Sequence, residues 1–83
     1  MSKLSLYHFL GCGFCARVWD VAERLGVELE DRNIHENAAY RDELLDLRGR
    51  ATVPVLRIEH EDGRVEWMPE SRDIVRYLTK HYG

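Results

Sequence analysis

The two cysteines of this chain, Cys12 and Cys15, stand three positions apart, and what flanks them constrains the fold more than any other feature. Before them, residues 4–9 alternate, with Leu4 and Leu6 on one face and Tyr7 and Phe9 on the other, as in a central strand covered on both sides. After them, Val18, Val21, Ala22 and Leu25 recur at helical spacing over residues 14–25, and Gly26 follows where a helix commonly ends. A Cys-x-x-Cys on such a strand-to-helix junction places its first sulfur beside the unpaired N–H groups and the positive dipole end of the helix, which favours thiolate over thiol. Cys12 is therefore the expected attacking thiol. Cys15 lies one helical turn on, within reach of a mixed disulfide formed at Cys12, and is the expected resolving thiol.

Two other uses of the pair carry less weight. A zinc site needs two more ligands, and only His8, His35, His60 and His81 remain, with no second cysteine pair and no closely spaced histidines. A purely structural disulfide closing so short a loop constrains the unfolded chain little. With no distant cysteines to staple a secreted scaffold, a reducing compartment is the simpler expectation. The opening Met1-Ser2-Lys3 leads into a short apolar run broken by His8 and Gly11, unlike a signal peptide, and no segment is long enough to span a bilayer. The expectation is a cytoplasmic protein without a membrane partner. Charged residues make up 33% of the chain, but their signs are mixed and the formal charge is −3, so no basic stripe invites nucleic acid.

The remaining elements follow from periodicity and turn chemistry. Residues 27–34 read as a strand, and residues 37–48 as a helix with Tyr40, Leu44 and Leu47 on one stripe before Gly49. Residues 53–58 are rich in β-branched side chains, Glu61-Asp62-Gly63-Arg64 supplies a turn, and residues 65–68 return as the second arm of a hairpin. Ser71 then stands where an N-cap would, Asp73 lies in the first turn, and Ile74, Val75 and Leu78 form an apolar stripe running to Tyr82. The order is β-α-β-α-β-β-α, which predicts an α/β fold with a four-stranded mixed sheet and helices on both faces. At 83 residues, 45% of them apolar, residues 1–83 are expected to form a single domain.

With Cys12-Gly13-Phe14-Cys15 on its junction and Thr52-Val53-Pro54 opening the third strand, the chain resembles a glutaredoxin over nearly its full length. Val53-Pro54-Val55-Leu56, together with residues 69–78 from Pro69 through Glu70 and Ser71 to Leu78, also resembles the N-terminal domain of glutathione transferases. The resemblance implies a thioredoxin-like fold and glutathione as co-substrate. It implies a cis bond before Pro54, and strand-like pairing of the Val53 backbone, beside Thr52, with the cysteinyl unit of glutathione. It further implies that Ser71 receives the γ-glutamyl carboxylate at the helix N-terminus while Glu70 holds the ammonium. Arg50 would pair with the glycine carboxylate, with Arg48 as its substitute, and Phe14 would offer an apolar contact to a protein substrate. Tyr7, Trp19, Trp67, Tyr77 and Tyr82 are read as packing residues and His8 as structural.

Two departures from the glutaredoxin pattern keep other functions open. Gly13-Phe14 replaces the usual Pro-Tyr, as in monothiol glutaredoxins. That substitution implies, as an alternative, a homodimer carrying a [2Fe–2S] cluster on Cys12 and glutathione sulfur; the oxidoreductase reading itself needs no metal and expects a monomer. Pro69-Glu70 replaces the paired glycines before the last helix, which keeps open a stand-alone transferase-type domain. The expected activity is reduction of glutathione mixed disulfides or protein disulfides through Cys12 and Cys15, with glutathionylated or disulfide-containing proteins as partners.

Overall fold

A computed structural model describes residues 2–83. The elements run β1 (Lys3–His8), α1 (Gly13–Leu25), β2 (Glu30–Asn33), α2 (Ala38–Arg48), β3 (Val55–Glu59), β4 (Val65–Met68) and α3 (Ser71–Tyr82). They form one four-stranded sheet in the order β2-β1-β3-β4. β1 pairs parallel with β2 and antiparallel with β3, and β3 pairs antiparallel with β4.

The alternation of β1 sorts its side chains as the sequence predicts. Leu4 and Leu6 pack with Val18 and Ala22 of α1, Leu56 and Ile58 of β3, and Ile74 and Leu78 of α3. Tyr7 faces the opposite side, in a smaller cluster with Ile34, Leu44 of α2 and Val55, and Phe9 packs against it. Helices thus lie on both faces, α1 and α3 on one and α2 on the other.

Several boundaries differ from the sequence expectation, each for a local reason. β2 begins at Glu30, not Val27, because the helix exit consumes the intervening residues: Gly26 adopts φ +69° and the Val27 N–H donates back to the Ala22 carbonyl at 2.8 Å. β3 begins at Val55 opposite Tyr7, since Pro54 has no N–H to contribute to a ladder. Ser71 is the first residue of α3, not its N-cap. The cap is Glu70, in extended conformation, whose carbonyl already accepts from the Ile74 N–H at 2.9 Å. Leu47 is 58% exposed despite lying on the Leu44 stripe, because the last turn of α2 runs past the apolar cluster that covers Leu44. Tyr82, at the end of the α3 stripe, is exposed as well.

The β3–β4 turn forms as expected: Gly63 takes φ +88°, its N–H donates to the His60 carbonyl, and the Asp62 carboxylate accepts from the Arg64 N–H at 2.9 Å. Among the described residues no helix is long and apolar enough to cross a membrane.

Candidate functional site

The loop from β1 into α1 delivers Cys12 to the helix end. Gly11 turns the chain at φ +90°, a value that favours glycine, and the Cys12 N–H donates to the Phe9 carbonyl at 3.4 Å. Phe9 is itself held by parallel stacking on His35 from the β2–α2 loop, with ring centroids 4.6 Å apart. Cys12 is the N-cap of α1: its backbone is extended and its Sγ accepts from the Cys15 N–H at 3.2 Å. The sulfur therefore occupies the place where a capping oxygen would sit, facing an unpaired donor of the first turn.

Both cysteines are free thiols, in different surroundings. Cys12 is half-buried, whereas Cys15 is 1% exposed on the core side of α1. Burial, followed by its hydrogen bond with Cys12, pushes the Cys15 thiol from 9.0 up to about 12. At neutral pH Cys15 is thus a thiol.

The other predicted residues converge on a groove of about 260 Å³. Thr52, Val53 and Pro54 form one wall, with the Val53–Pro54 peptide bond cis. Glu70 and Ser71, at the N-terminus of α3, line it, as do Arg50 and, from α1, Phe14. The two cysteines are not among its lining residues; Phe14, between them in sequence, links them to it. Two further residues complete the lining. Pro69 precedes the cap of α3, and its adjacency to Glu70 was the available signal. Arg48 lines the groove beside Arg50, and its Nη1 donates to the Thr52 hydroxyl at 3.4 Å. The substitute cation and the first choice are both present.

At the N-terminus of α3 the Glu70 side chain makes no capping bond among the described residues, so the groove borders first-turn N–H groups free of that side chain. A larger cavity of about 870 Å³ lies at the far end of β1, between Lys3, Val27, Tyr77 and Tyr82. It holds no cysteine.

His8 and Tyr7 take structural places. The His8 ring is buried, hydrogen-bonded to Asp31 and edge-on to Trp19. The Tyr7 hydroxyl donates to Glu43 Oε2 at 2.9 Å and accepts from Arg32 Nη1 at 2.7 Å, tying α2 to the sheet. Leu10, on the loop before Cys12, is 78% exposed, and Phe14 is 68% exposed. Leu10 escaped the sequence reading because it belongs to no periodic stripe.

A four-stranded mixed sheet with a cysteine pair at the first strand-to-helix junction and a cis-proline opening the third strand defines a thioredoxin-like domain. Residues 6–83 match the family described as glutathione S-transferase, N-terminal domain. The chain belongs to that family, within the thioredoxin-like class it shares with the glutaredoxins.

Among curated relatives, Glutaredoxin 3 of Escherichia coli strain K12 is 32% identical over 59 residues, covering 71% of each chain. Probable monothiol glutaredoxin 2 of Rickettsia felis is 38% identical over 50 residues, which are 60% of this chain and 48% of that protein. Among solved structures, maleylacetoacetate isomerase from Anaeromyxobacter dehalogenans with bound GSH in its active site superposes with a TM-score of 0.75 at 25% identity. That match covers 98% of this chain and 38% of the isomerase, so the chain spans under two fifths of the isomerase.

Proposed function

We propose that this domain is a glutathione-dependent thiol–disulfide oxidoreductase that reduces glutathione mixed disulfides through Cys12. The observation that carries the proposal is the division of labour between the cysteines: Cys12 is half-buried and its Sγ accepts from the Cys15 N–H at the N-terminus of α1, while Cys15 is buried as a thiol. The groove beside them supports glutathione as the co-substrate, as do the glutaredoxin relatives and the isomerase solved with GSH.

In the proposed reaction the Cys12 thiolate attacks the glutathionyl sulfur of the substrate. A Cys12–glutathione disulfide forms, the substrate's S–S bond breaks, and its cysteine leaves as a thiolate that takes up a proton. A second glutathione thiolate then attacks that disulfide, releasing oxidised glutathione and restoring the Cys12 thiolate. The alternative resolution, by Cys15, requires its thiolate, which burial, the largest cause of its raised pKa, opposes. Val53 before the cis-proline aligns the glutathione backbone, the first turn of α3 at Ser71 holds the γ-glutamyl carboxylate with Glu70 near the ammonium, and Arg48 and Arg50 face the glycine carboxylate.

The test is turnover of a glutathionylated peptide with glutathione, glutathione reductase and NADPH. The expected result is activity in the wild type and in Cys15→Ser and none in Cys12→Ser; no turnover by folded wild type would defeat the proposal. Two other readings have their own signatures. A [2Fe–2S] cluster takes four ligands, and with Cys15 sealed this chain offers Cys12, so a cluster would draw on a second copy and on glutathione sulfur; a brown dimer from anaerobic purification would favour it. Conjugation of glutathione to an aromatic electrophile, undiminished in Cys12→Ser, would favour the transferase-type reading that the family match supports.

A further inference from the structure

The loop and helix start around Cys12 carry an uncharged apolar surface of which the groove takes in Phe14 but not Leu10. Residues 4–16 contain no Asp, Glu, Lys or Arg in a chain that is 33% charged. Within that run Leu10 and Phe14 are the most exposed large apolar side chains of the described residues, at 78% and 68%. A lone exposed leucine is ordinary, but these two stand two residues before and two residues after the nucleophile. Gly11 and Gly13 separate them from Cys12. The φ of +90° explains Gly11. Gly13 opens α1, where glycine is a poorer helix former than alanine; leaving aside Cys12, Phe14 and the nearby helix backbone, a Cβ placed on it meets no atom of the described residues within 4 Å.

We propose that Leu10 and Phe14, set either side of Cys12 across the gaps at Gly11 and Gly13, form a specificity element that receives the apolar residues flanking a glutathionylated cysteine in a polypeptide. This rests on the oxidoreductase proposal and names its preferred substrate class. With the glutathione moiety in the groove, the leaving polypeptide lies on the outer side of the breaking S–S bond, against the rim around Cys12. Leucine or valine beside the substrate cysteine covers Leu10 and Phe14 and removes apolar area from water, whereas serine gains nothing there. Residues 9–14, the part of that run around Cys12 that is exposed or half-buried, carry no charge, which favours an apolar occupant over a charged one. Free cysteine as the leaving group carries no flanking side chain to cover Leu10.

The experiment measures kcat/KM with saturating glutathione for three substrates: a glutathionylated peptide with leucines flanking its cysteine, the same peptide with serines, and the cysteine–glutathione mixed disulfide. Wild type should prefer the leucine peptide to the serine peptide by about fivefold. Leu10→Ser should reduce that preference to within about twofold while leaving the small disulfide unaffected, and Leu10→Met should restore it. A ratio near one in wild type, or an unchanged ratio in Leu10→Ser, overturns the specificity element while leaving the oxidoreductase proposal standing. A Leu10-dependent dimer by sedimentation, without peptide preference, overturns it in favour of a second copy as the occupant. Absence of turnover on all three substrates by folded wild type overturns the oxidoreductase proposal, and the specificity element with it.

Discussion

Cys15 and Tyr7 show how one buried residue couples the site to the stability of the fold. Burial, then the hydrogen bond with Cys12, raises the Cys15 thiol from 9.0 to about 12; burial, then the bond to Glu43, raises Tyr7 from 10.0 to about 12. Both groups are neutral when protonated, so between those limits the folded chain keeps protons that the unfolded chain has released. Their contribution is complete below about pH 9 and is lost as pH rises toward 12. The urea midpoint under reducing conditions is expected to be flat from about pH 7 to 8.5 and to fall above about pH 9, less steeply in Cys15→Ala. A midpoint in Cys15→Ala that falls as steeply as in wild type would contradict this. The identity and spacing of Cys12 and Cys15 were legible in the sequence, and Cys15 lies three residues before Val18 on the apolar stripe of α1; its sealing to 1% exposure depends on how closely that stripe packs.

At the scale of the element, the start of α1 joins the proposed catalysis to helix capping. Cys12 Sγ accepts from the Cys15 N–H, so the proposed nucleophile also satisfies one of the orphan donors of the helix. Cys12→Ser keeps an acceptor there, and Cys12→Ala removes it. Cys12→Ala is expected to be less stable than Cys12→Ser by about 1 kcal/mol in urea denaturation, with both inactive in the coupled assay. Equal stabilities would mean that the sulfur contributes nothing as a cap. α3 starts differently, with an extended Glu70 capping through its carbonyl alone. Helix-start chemistry in the sequence located this end to within one residue. It did not distinguish Ser71 as cap from Ser71 as first helical residue, because consecutive Glu70 and Ser71 are both compatible with a helix start.

Across the whole molecule the two faces of the sheet are unequally covered. One carries the larger cluster between α1, α3 and the central strands. On the other, Leu44 is the single residue of α2 that is fully buried, and much of the surface beyond it is held by ion pairs: Lys3 with Glu30, Arg32 with Glu30 and Glu43, and Arg57 with Glu59. Partly exposed pairs stabilise far less than apolar burial. Amides of Ala38–Arg48 are therefore expected to exchange with solvent faster than those of Gly13–Leu25 and Ser71–Tyr82 in native-state hydrogen exchange. Leu44→Ala should cost about 2–5 kcal/mol, a large share of the stability of so small a domain, and should weaken the proposed glutathione binding by loosening Arg48 and Arg50. Exchange in α2 as slow as in α1 would contradict that order.

By itself the sequence determined the succession of elements, the two faces of β1 and the hairpin turn at Gly63, and its resemblance to glutaredoxins and transferases named most of the residues that gather at the groove. These depend on periodicity and turn chemistry within a few positions, and on motifs carried by consecutive residues such as Thr52-Val53-Pro54. Only the tertiary structure decided where pairing begins at Glu30 and Val55, that Leu44 is buried while Leu47 is exposed, that Arg48 joins Arg50 at the groove, and that Leu10 stands clear beside Cys12. Each of those depends on which surfaces meet and where they stop meeting, a property of packed elements that no local stretch of chain contains.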